Sequence, residues 1–301
     1  MNFNASTPLD HILKALFEPY KNNVPDVGLI VSAMVSKSMI ANEDDIINDH
    51  IAFRTLGVPN LGIASLEKIF LAYGYERRDA YDFPEKKLDA FWYAPPSPKY
   101  PRIFISELRV GELSQQTQEI IYKYTSGIGK DPVDSLDFDH PKTVGDFFYR
   151  PLWQVPTKEE FNTLAEESEY AAWVIYNRYY LNHYTISVHA LPEPYGKLEA
   201  FNEFLEDNGI KLNTSGGKIK TSADGLLRQT SSIAKMITAT FAHNERMKIA
   251  GSYVEFAERS PLPQFSKLPK DQLKPIHLRE GFEANNADKI FESTYKEQTQ
   301  Q

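Results

Sequence analysis

The chain has 301 residues with 41 acidic and 33 basic side chains, which gives a formal charge of −8 at neutral pH. Apolar residues make up 42% of it and aromatic residues 13%, enough to bury a full core, so global disorder is excluded. Because the chain has no cysteine, disulfides, iron–sulfur clusters and cysteine nucleophiles are excluded, and any metal must be held by His, Asp, Glu or backbone oxygen. The acidic balance, without any basic block, argues against nucleic acid and against a membrane surface as partners.

No targeting or membrane-spanning segment is visible in the sequence. The longest apolar stretch, Val27 to Val35, is far shorter than the ~20 residues that a membrane helix needs. The N-terminal sequence lacks the basic start and the apolar run of a signal peptide. We therefore expect a cytoplasmic protein.

The N-terminal part of the chain alternates between helical and extended patterns. Apolar residues at helical spacing predict one helix within the first 25 residues and a second helix over residues 28–39. Residues 49–56 alternate and carry β-favouring side chains, which predicts a strand. The next helix ends at Gly74. Two further strands are predicted at Leu88–Tyr93 and Arg102–Leu108.

The same order of elements recurs after a polar, helix-favouring segment. Residues 182–189 predict a strand that begins close to a histidine, as the strand with His50 does, and a helix follows it. His50 and Gly74, at the end of the first strand–helix pair, are 24 residues apart, and His183 and Gly209 are 26 residues apart. The similar spacing indicates a repeated strand–helix–strands unit.

We therefore predict a single domain, residues 1–301, with an internal duplication. Its parts are unit one at 46–110, a helical insertion at 111–180, unit two at 181–260 and a C-terminal segment at 261–301. The predicted fold class is α+β, in which the two strand–helix–strands (βαβββ-like) units form a curved mixed sheet around a metal site, with additional helices.

The predicted metal site rests on three residues of the strands. Because side chains two apart share a strand face, His50 shares its face with Arg54, and His183 shares its face with His189. Glu255 lies on the last predicted strand. If both units curve so that these faces meet, His50, His183 and Glu255 converge. Two imidazoles and one carboxylate form the facial triad of non-haem iron enzymes, which leaves room for a bidentate 2-oxo acid and dioxygen.

The spacing leaves two questions about ligands open. His189 lies six residues beyond His183, about 20 Å along an extended strand, so the two cannot bind one metal. Spacing does not select between them, although His183 occupies the strand start that matches His50. Glu107 is a candidate fourth ligand, a candidate acceptor for a ligand histidine, or one half of an ion pair.

Seven sequence blocks, which run in order over most of the chain, carry a family resemblance. They are Asn48–Thr55, Arg102–Leu108, Leu181–Thr185, Ser215–Lys220, Gln229–Ser232, Tyr253–Arg259 and Ala287–Thr294. As a set they resemble the 2-oxoadipate dioxygenase/decarboxylase family, also called 2-hydroxyglutarate synthase. The resemblance implies a fold related to the vicinal-oxygen-chelate enzymes, in which paired strand–helix–strand units surround a metal.

The resemblance also implies a site and a reaction. It implies Fe(II) bound by His50, His183 and Glu255, and thereby selects His183 over His189. It implies that Arg54 holds a carboxylate of the substrate, a role that suits a bidentate guanidinium. The implied reaction takes 2-oxoadipate and O2 to 2-hydroxyglutarate and CO2 in lysine degradation, so a small 2-oxo acid and O2 are the expected partners.

Further pocket residues and other functions complete the expectations. Gln229 and Ser231 are candidate substrate-binding residues because their strand lies between a helix and the strand of Glu255. One alternative function is a metal-dependent lyase, isomerase or hydrolase on the same fold, in which Glu107 acts as fourth ligand or general base. The other is a non-enzymatic protein that binds small molecules.

Overall fold

The structure is a computed structural model, and it describes residues 6–300. The strands are β1 (Asn48–Leu56), β2 (Glu76–Phe83), β3 (Leu88–Ala94), β4 (Arg102–Leu108), β5 (His183–Ser187), β6 (Lys220–Thr221), β7 (Leu227–Ser231), β8 (Met236–Thr240), β9 (Arg246–Ala250) and β10 (Tyr253–Arg259). The helices are α1 (Pro8–Asn23), α2 (Pro25–Ser36), α3 (Ile63–Ala72), α4 (Gln115–Thr125), α5 (Pro141–Phe147), α6 (Lys158–Glu167), α7 (Glu169–Asn177), α8 (Leu198–Asp207), α9 (Ala284–Phe291) and α10 (Lys296–Thr299).

Both N-terminal helices form where apolar periodicity predicts them, with differences at their ends. α1 begins with a capping box, because the Thr7 side chain accepts from the Asp10 N–H and the Asp10 carboxylate accepts from the Thr7 N–H. α2 begins earlier than predicted because Pro25, with its fixed φ, suits the first helical position. The part of the predicted first helix within residues 1–5 lies outside the described residues.

One mixed sheet organises the chain, in the strand order β2-β3-β4-β1-β5-β10-β7-β6. β1 pairs in parallel with β4, β5 pairs in parallel with β10, and β1 runs antiparallel to β5 where the halves meet. Both halves thus pair their strands in the same way outward from the centre. The predicted α+β fold with a mixed sheet is confirmed, and the duplication with its unit boundaries stays a prediction.

Each half of the sheet packs a helix against its outer face. Phe53 of β1 lies 5.5 Å, centroid to centroid, from Phe70 of α3 and 5.3 Å from Phe148 after α5. Phe256 of β10 lies 5.3 Å from Phe201 of α8. Each such aromatic pair stabilises the fold by about 0.5–1.5 kcal/mol beyond its apolar burial. On the inner face, side chains contact α7 and the C-terminal segment that includes α9, as Arg54 of β1 does with Tyr170 and Phe291.

The structure differs from the sequence-based prediction at several strands: β2, β6, β8 and β9 were not predicted, and one predicted strand ends early. β2 was not predicted, because most of its side chains are charged and exposed, as suits an edge strand that must not pair with another molecule. The strand predicted over residues 182–189 ends at Ser187, and residues 188–190 form a 3-10 turn. None of the helices within residues 6–300 combines the length and the apolar character that a bilayer crossing requires.

Candidate metal centre

Three side chains from the three central strands meet on the inner face of the sheet. His50 lies on β1, His183 on β5 and Glu255 on β10, and one potential ligand atom from each lies within 4.8 Å of the other two. Glu255 Oε2 is 3.1 Å from His183 Nε2 and 3.4 Å from His50 Nε2. All three side chains are buried. The sequence-based expectation that these three residues converge agrees with this geometry.

Strand register explains why these side chains meet. Thr185 of β5 pairs with His50 on one side and with Glu255 on the other, so the three residues lie at one level of the sheet. His183 precedes Thr185 by two residues and therefore points to the same face. In a flat sheet, β1 and β10 would lie about 9.6 Å apart, since β5 separates them. The long side chains of His50 and Glu255 therefore lean toward each other across β5, which brings Nε2 and Oε2 to 3.4 Å.

The donor set and its spacing fit a divalent transition metal. Two ligand atoms about 2.1 Å from one ion and at right angles to each other lie about 3 Å apart, close to both measured separations from Glu255. Burial raises the pKa of Glu255, but its interactions with His50 and His183 outweigh burial and bring the pKa to about 2. The site therefore presents a buried carboxylate anion between two imidazoles.

Each histidine is oriented by the residue directly before it. Asp49 Oδ1 is 2.9 Å from His50 Nδ1, and Asn182 Oδ1 is 3.1 Å from His183 Nδ1. Because these oxygens accept hydrogen bonds, Nδ1 of each ring carries the proton and Nε2 presents its lone pair to the site. Neither partner was predicted from the sequence, although a residue with an acceptor oxygen directly precedes each of the two histidines.

Asp49 is itself held by arginine side chains. Arg259 Nε donates to Asp49 Oδ2 at 2.7 Å and Nη2 donates to Oδ1 at 2.9 Å, a bidentate pair with both residues buried. Burial raises the pKa of the Asp49 carboxyl, but the charges of Arg259 and Arg102 outweigh burial and hold that pKa well below its usual range. Asp49 is therefore an anion behind His50.

Gln229 and Ser231 both lie close to Glu255, in different roles. Gln229 Nε2 donates to Glu255 Oε1 at 2.7 Å, and Gln229 Oε1 accepts from Asn286 Nδ2 at 2.9 Å. Ser231 pairs with Glu255 in the strand register, and its hydroxyl lies 2.8 Å from the Ser293 hydroxyl. Gln229 thus fixes the carboxylate of Glu255, while Ser231 holds the C-terminal segment. Contact of either residue with a substrate stays a prediction.

Arg54 is a buried cation on the same strand and face as His50. Its Nη1 donates to Thr294 Oγ1 and its Nη2 to the Phe291 carbonyl, both at 2.9 Å. Its guanidinium carbon lies 5.2 Å from the centroid of the Tyr170 ring. Both hydrogen bonds go to uncharged oxygens, and Nε has no hydrogen-bond partner among the described residues. Burying a charge without a bound counter-ion is costly, so this arrangement favours an anionic ligand.

Comparison with known proteins places the chain in a family. The sequence profile of the 2-oxoadipate dioxygenase/decarboxylase family matches residues 12–271. The chain belongs to this family. It is 46% identical over 261 residues to the chloroplastic 2-oxoadipate dioxygenase/decarboxylase of Arabidopsis thaliana, an alignment that covers 83% of this chain and 68% of that protein.

Solved structures agree with the family and with the fold. The hydroxyglutarate synthase of Oryza sativa in complex with 2-oxoadipate superimposes with a TM-score of 0.86 and 43% identity, covering 96% of this chain and 93% of that one. A structure from Ralstonia eutropha that is described as a glyoxalase superfamily protein has a TM-score of 0.72 and 19% identity, and covers 92% of this chain and 87% of that chain. The second likeness shows the fold alone, and it agrees with the predicted fold related to the vicinal-oxygen-chelate enzymes.

In this member of the 2-oxoadipate dioxygenase/decarboxylase family, Glu107 does not belong to the metal cluster. Glu107 pairs with Thr55 on β1 and therefore points to the outer face of the sheet, opposite to His50. Its Oε2 accepts from the Ile63 N–H at 2.7 Å, at the first turn of α3. The prediction that Glu107 is a fourth ligand or an acceptor for a ligand histidine is corrected: it caps a helix, and Asp49 and Asn182 accept from the histidines.

His189 is also separate from the cluster, as the family resemblance implied. It lies in the turn after β5, where its Nδ1 accepts from the Arg259 N–H at 3.2 Å. It lines a large cavity of about 940 Å³, whose lining includes Asp49 but not His50. His183 is therefore the histidine that the fold brings to His50 and Glu255.

Aromatic and aliphatic side chains of the C-terminal segment cover the cluster. The cavity beside the three residues measures about 20 Å³. Its lining outside the cluster is Phe104, Gln229, Tyr253, Phe282, Ala287, Ile290 and Phe291. The Phe282 ring packs edge-on against His50 at 4.7 Å, and the Tyr253 ring stacks on His183 at 4.7 Å. These contacts keep bulk water away from the candidate ligands.

Proposed function

We propose that this protein is an Fe(II)-dependent dioxygenase/decarboxylase. It converts a 2-oxo dicarboxylic acid of the 2-oxoadipate kind, with O2, into a 2-hydroxy acid of the 2-hydroxyglutarate kind and CO2. The observation that carries the proposal is the buried cluster of two imidazoles and one carboxylate in a chain of this family. The similarity to a structure that contains 2-oxoadipate supports the substrate class.

In this proposal His50 and His183 hold the metal through Nε2, and Glu255 holds it through Oε2. When bound, the iron would supply the redox chemistry with dioxygen, and three protein ligands would leave it able to take further ligands. Asp49, Asn182 and the other partners of the ligands keep the donor atoms in place. The apolar cover of the site excludes water, which strengthens the electrostatic interactions within it.

Arg54 grips the distal carboxylate of the substrate in this proposal. It lies four residues beyond His50 on the same face, about 13 Å along the strand. The six-carbon chain of a 2-oxo dicarboxylic acid and the long arginine side chain bridge that separation together. Among residues 6–300 the guanidinium Nε has no hydrogen-bond partner, and the group stacks against Tyr170, so a carboxylate meets a fixed and desolvated donor.

Local positive charge also fits a dianionic substrate in an acidic protein. The whole chain carries a formal charge of −8, which disfavours a dianion at long range. Arg54 and the bound ion provide positive charge where the two carboxylates would lie. The buried Lys220, whose charge interacts with Glu255, adds to the positive potential near the site.

The alternative lyase, isomerase or hydrolase loses its main support, because Glu107 lies on the outer face and cannot act as the general base of the site. A cytoplasmic location and a role in lysine degradation stay predictions. The Arabidopsis relative is named as a chloroplast protein.

Oxygen consumption under defined conditions tests the proposed function. Protein purified without oxygen and loaded with Fe(II) should consume O2 when 2-oxoadipate is added, and release CO2 and 2-hydroxyglutarate in equal amounts. His50→Ala should abolish this turnover, whereas His140→Ala, at an exposed histidine, should retain it. Unchanged turnover in His50→Ala, or equal product formation without oxygen, contradicts the proposal.

A further inference from the structure

The two candidate ligand histidines have different electrostatic support. Behind His50, Asp49 is a buried carboxylate that accepts from Nδ1 at 2.9 Å. Behind His183, the neutral amide oxygen of Asn182 takes that place at 3.1 Å, and the Asn182 Nδ2 atom has no hydrogen-bond partner among the residues that the structure describes. An imidazole that donates to a carboxylate is a stronger metal donor than one that donates to an amide. His50 is therefore the better-supported ligand.

Arg259 fixes Asp49 in the orientation that His50 needs. The two hydrogen bonds from Nε and Nη2 occupy both carboxylate oxygens of Asp49, so that the carboxylate cannot rotate freely. Arg102 Nη1 lies 3.5 Å from Asp49 Oδ2 and donates to the Asp49 carbonyl oxygen at 3.2 Å. Both oxygens of Asp49 are thus engaged by a fixed cation, and Oδ1 in addition receives the His50 ring.

The same arginine joins three parts of the site. Arg259 lies on β10, four residues beyond Glu255 and on the same face. Its Nη1 donates to the Gly281 carbonyl at 2.8 Å and to the Arg279 carbonyl at 2.9 Å. Gly281 precedes Phe282, whose ring packs against His50. One side chain therefore connects the strand of Glu255, the acceptor behind His50 and the segment that covers the ring.

We propose that Asp49, held by Arg259, is a positioning residue of the metal centre that makes His50 a stronger metal donor than His183. The inference rests on the proposed metal role of His50, His183 and Glu255. Removing the charge of Asp49 lowers the donor strength of Nε2 and frees the ring to rotate. A buried ion pair with only a structural role would change stability and leave the metal site unaltered.

Metal titration of near-isosteric variants separates these two roles. Metal-free wild type, Asp49→Asn and Asp26→Asn are titrated with Co(II) in competition with a chromogenic chelator, and the absorption spectrum of bound Co(II) is recorded. Asp26 is the matched control, because it is a buried carboxylate in an ion pair with Lys235 and lies on α2, away from the cluster. Asp49→Asn should bind Co(II) about 10- to 100-fold more weakly with a shifted spectrum. Asp26→Asn should match wild type.

A second variant covers the case in which Asp49→Asn does not fold. Arg259→Lys keeps the positive charge but replaces the bidentate contact with a single one. It should give a loss of Co(II) affinity smaller than that expected for Asp49→Asn, again with a shifted spectrum. Wild-type affinity and an unchanged spectrum in either folded variant overturn the inference. Failure of the wild type to bind one Co(II) per chain instead overturns the proposed function, so the two failures are distinguishable.

Discussion

The two halves of the sheet place different residues at the same position. Two residues beyond His50, Ala52 pairs with Phe104 on the parallel strand β4. Two residues beyond His183, Thr185 pairs with Glu255 on the parallel strand β10. The same strand arrangement therefore presents a phenyl ring in one half and a carboxylate in the other. Whether a half contributes a second metal donor therefore depends on the residue at this one position, Phe104 or Glu255, and not on the fold alone.

The surroundings of the histidines differ in the same way. Burial lowers the pKa of both imidazoles. For His50, the charge of Glu255 and the hydrogen bond to Asp49 outweigh burial, so that its pKa lies above the ordinary value. For His183, burial prevails over the contacts with Glu255, and its pKa lies below the ordinary value. Similar strands thus create two electrostatically distinct ligands.

β10 and β4, the strands that pair in parallel with β5 and β1, each carry a carboxylate, Glu255 and Glu107. The largest difference in metal affinity is expected between substitutions of these two residues. Glu255→Gln removes the only anionic donor of the described cluster, so metal affinity should fall by more than about 100-fold and turnover should be lost with it. Glu107→Gln should keep wild-type metal affinity and lower the free energy of unfolding by about 1 kcal/mol at most, because it alters one helix contact. For both variants, chelator competition measures the metal affinity and urea unfolding measures the free energy of unfolding. Loss of the metal in Glu107→Gln would break the comparison.

The next effect concerns the residues four positions beyond each histidine, Arg54 and Ser187. Arg54→Met should lower kcat/KM for 2-oxoadipate by about 100-fold or more, since it removes a charge-assisted contact to the distal carboxylate. The same variant should lose less than about tenfold with 2-oxohexanoate, which has the same chain length and no distal carboxylate. Ser187→Ala should stay close to wild type with both acids.

Steady-state kinetics with both substrates decides whether Arg54 has this role. A melting curve for each variant verifies that the hydrogen bonds of Arg54 to Phe291 and Thr294 are not required for folding. An equal loss on both acids would assign Arg54 to the support of the C-terminal segment instead of the substrate.

A smaller, pH-dependent effect on folding stability is expected at β6, the edge strand of the half of the sheet that contains His183. β2 exposes its charges, whereas Lys220 of β6 is buried and donates to the Asn213 carbonyl at 2.7 Å. Burial lowers the pKa of Lys220 to about 8. An unfolded lysine keeps a pKa of about 10.4, so between these values the unfolded chain binds more protons, and stability rises with pH by up to about 3 kcal/mol.

Removing the ammonium group should remove this rise. The difference in unfolding free energy between wild type and Lys220→Met should therefore shift in favour of wild type between pH 8 and pH 10. The neighbour Lys218, whose ammonium group lies at the surface, supplies the matched variant, Lys218→Met. Urea unfolding between pH 8 and pH 10 measures the free energy of unfolding of wild type and of both variants. A constant difference for Lys220→Met would contradict the assignment of a lowered pKa.

Much of the site was predictable because it lies on strongly alternating strands. The pattern of β1 and β5 places His50 and His183 at corresponding positions, and β-favouring residues surround Glu255. Prediction from the sequence was wrong where the strand register decides to which face of the sheet a side chain points. Glu107 and Glu255 both lie on apolar strands, and only the pairing with β1 and β5 reveals that they point to opposite faces. A shift of one residue moves a side chain to the other face of the sheet.

The remaining errors came from contacts that are distant in sequence or lack an apolar pattern. β2 escaped prediction because an exposed edge strand has no apolar alternation to detect. The cover of the site by Phe282 and Phe291 depends on tertiary packing of the C-terminal segment, which no local pattern encodes. The link from Asp49 to Arg259 spans 210 residues, so it could not follow from either strand alone.

Anomalous diffraction from crystals soaked with Fe(II) and 2-oxoadipate without oxygen tests the central claim most directly. The account predicts one iron peak per chain, about 2.1 Å from His50 Nε2, His183 Nε2 and Glu255 Oε2. It also predicts that the distal carboxylate of the acid lies against Arg54. Iron bound elsewhere, or an acid that avoids Arg54 while iron occupies the cluster, would contradict it.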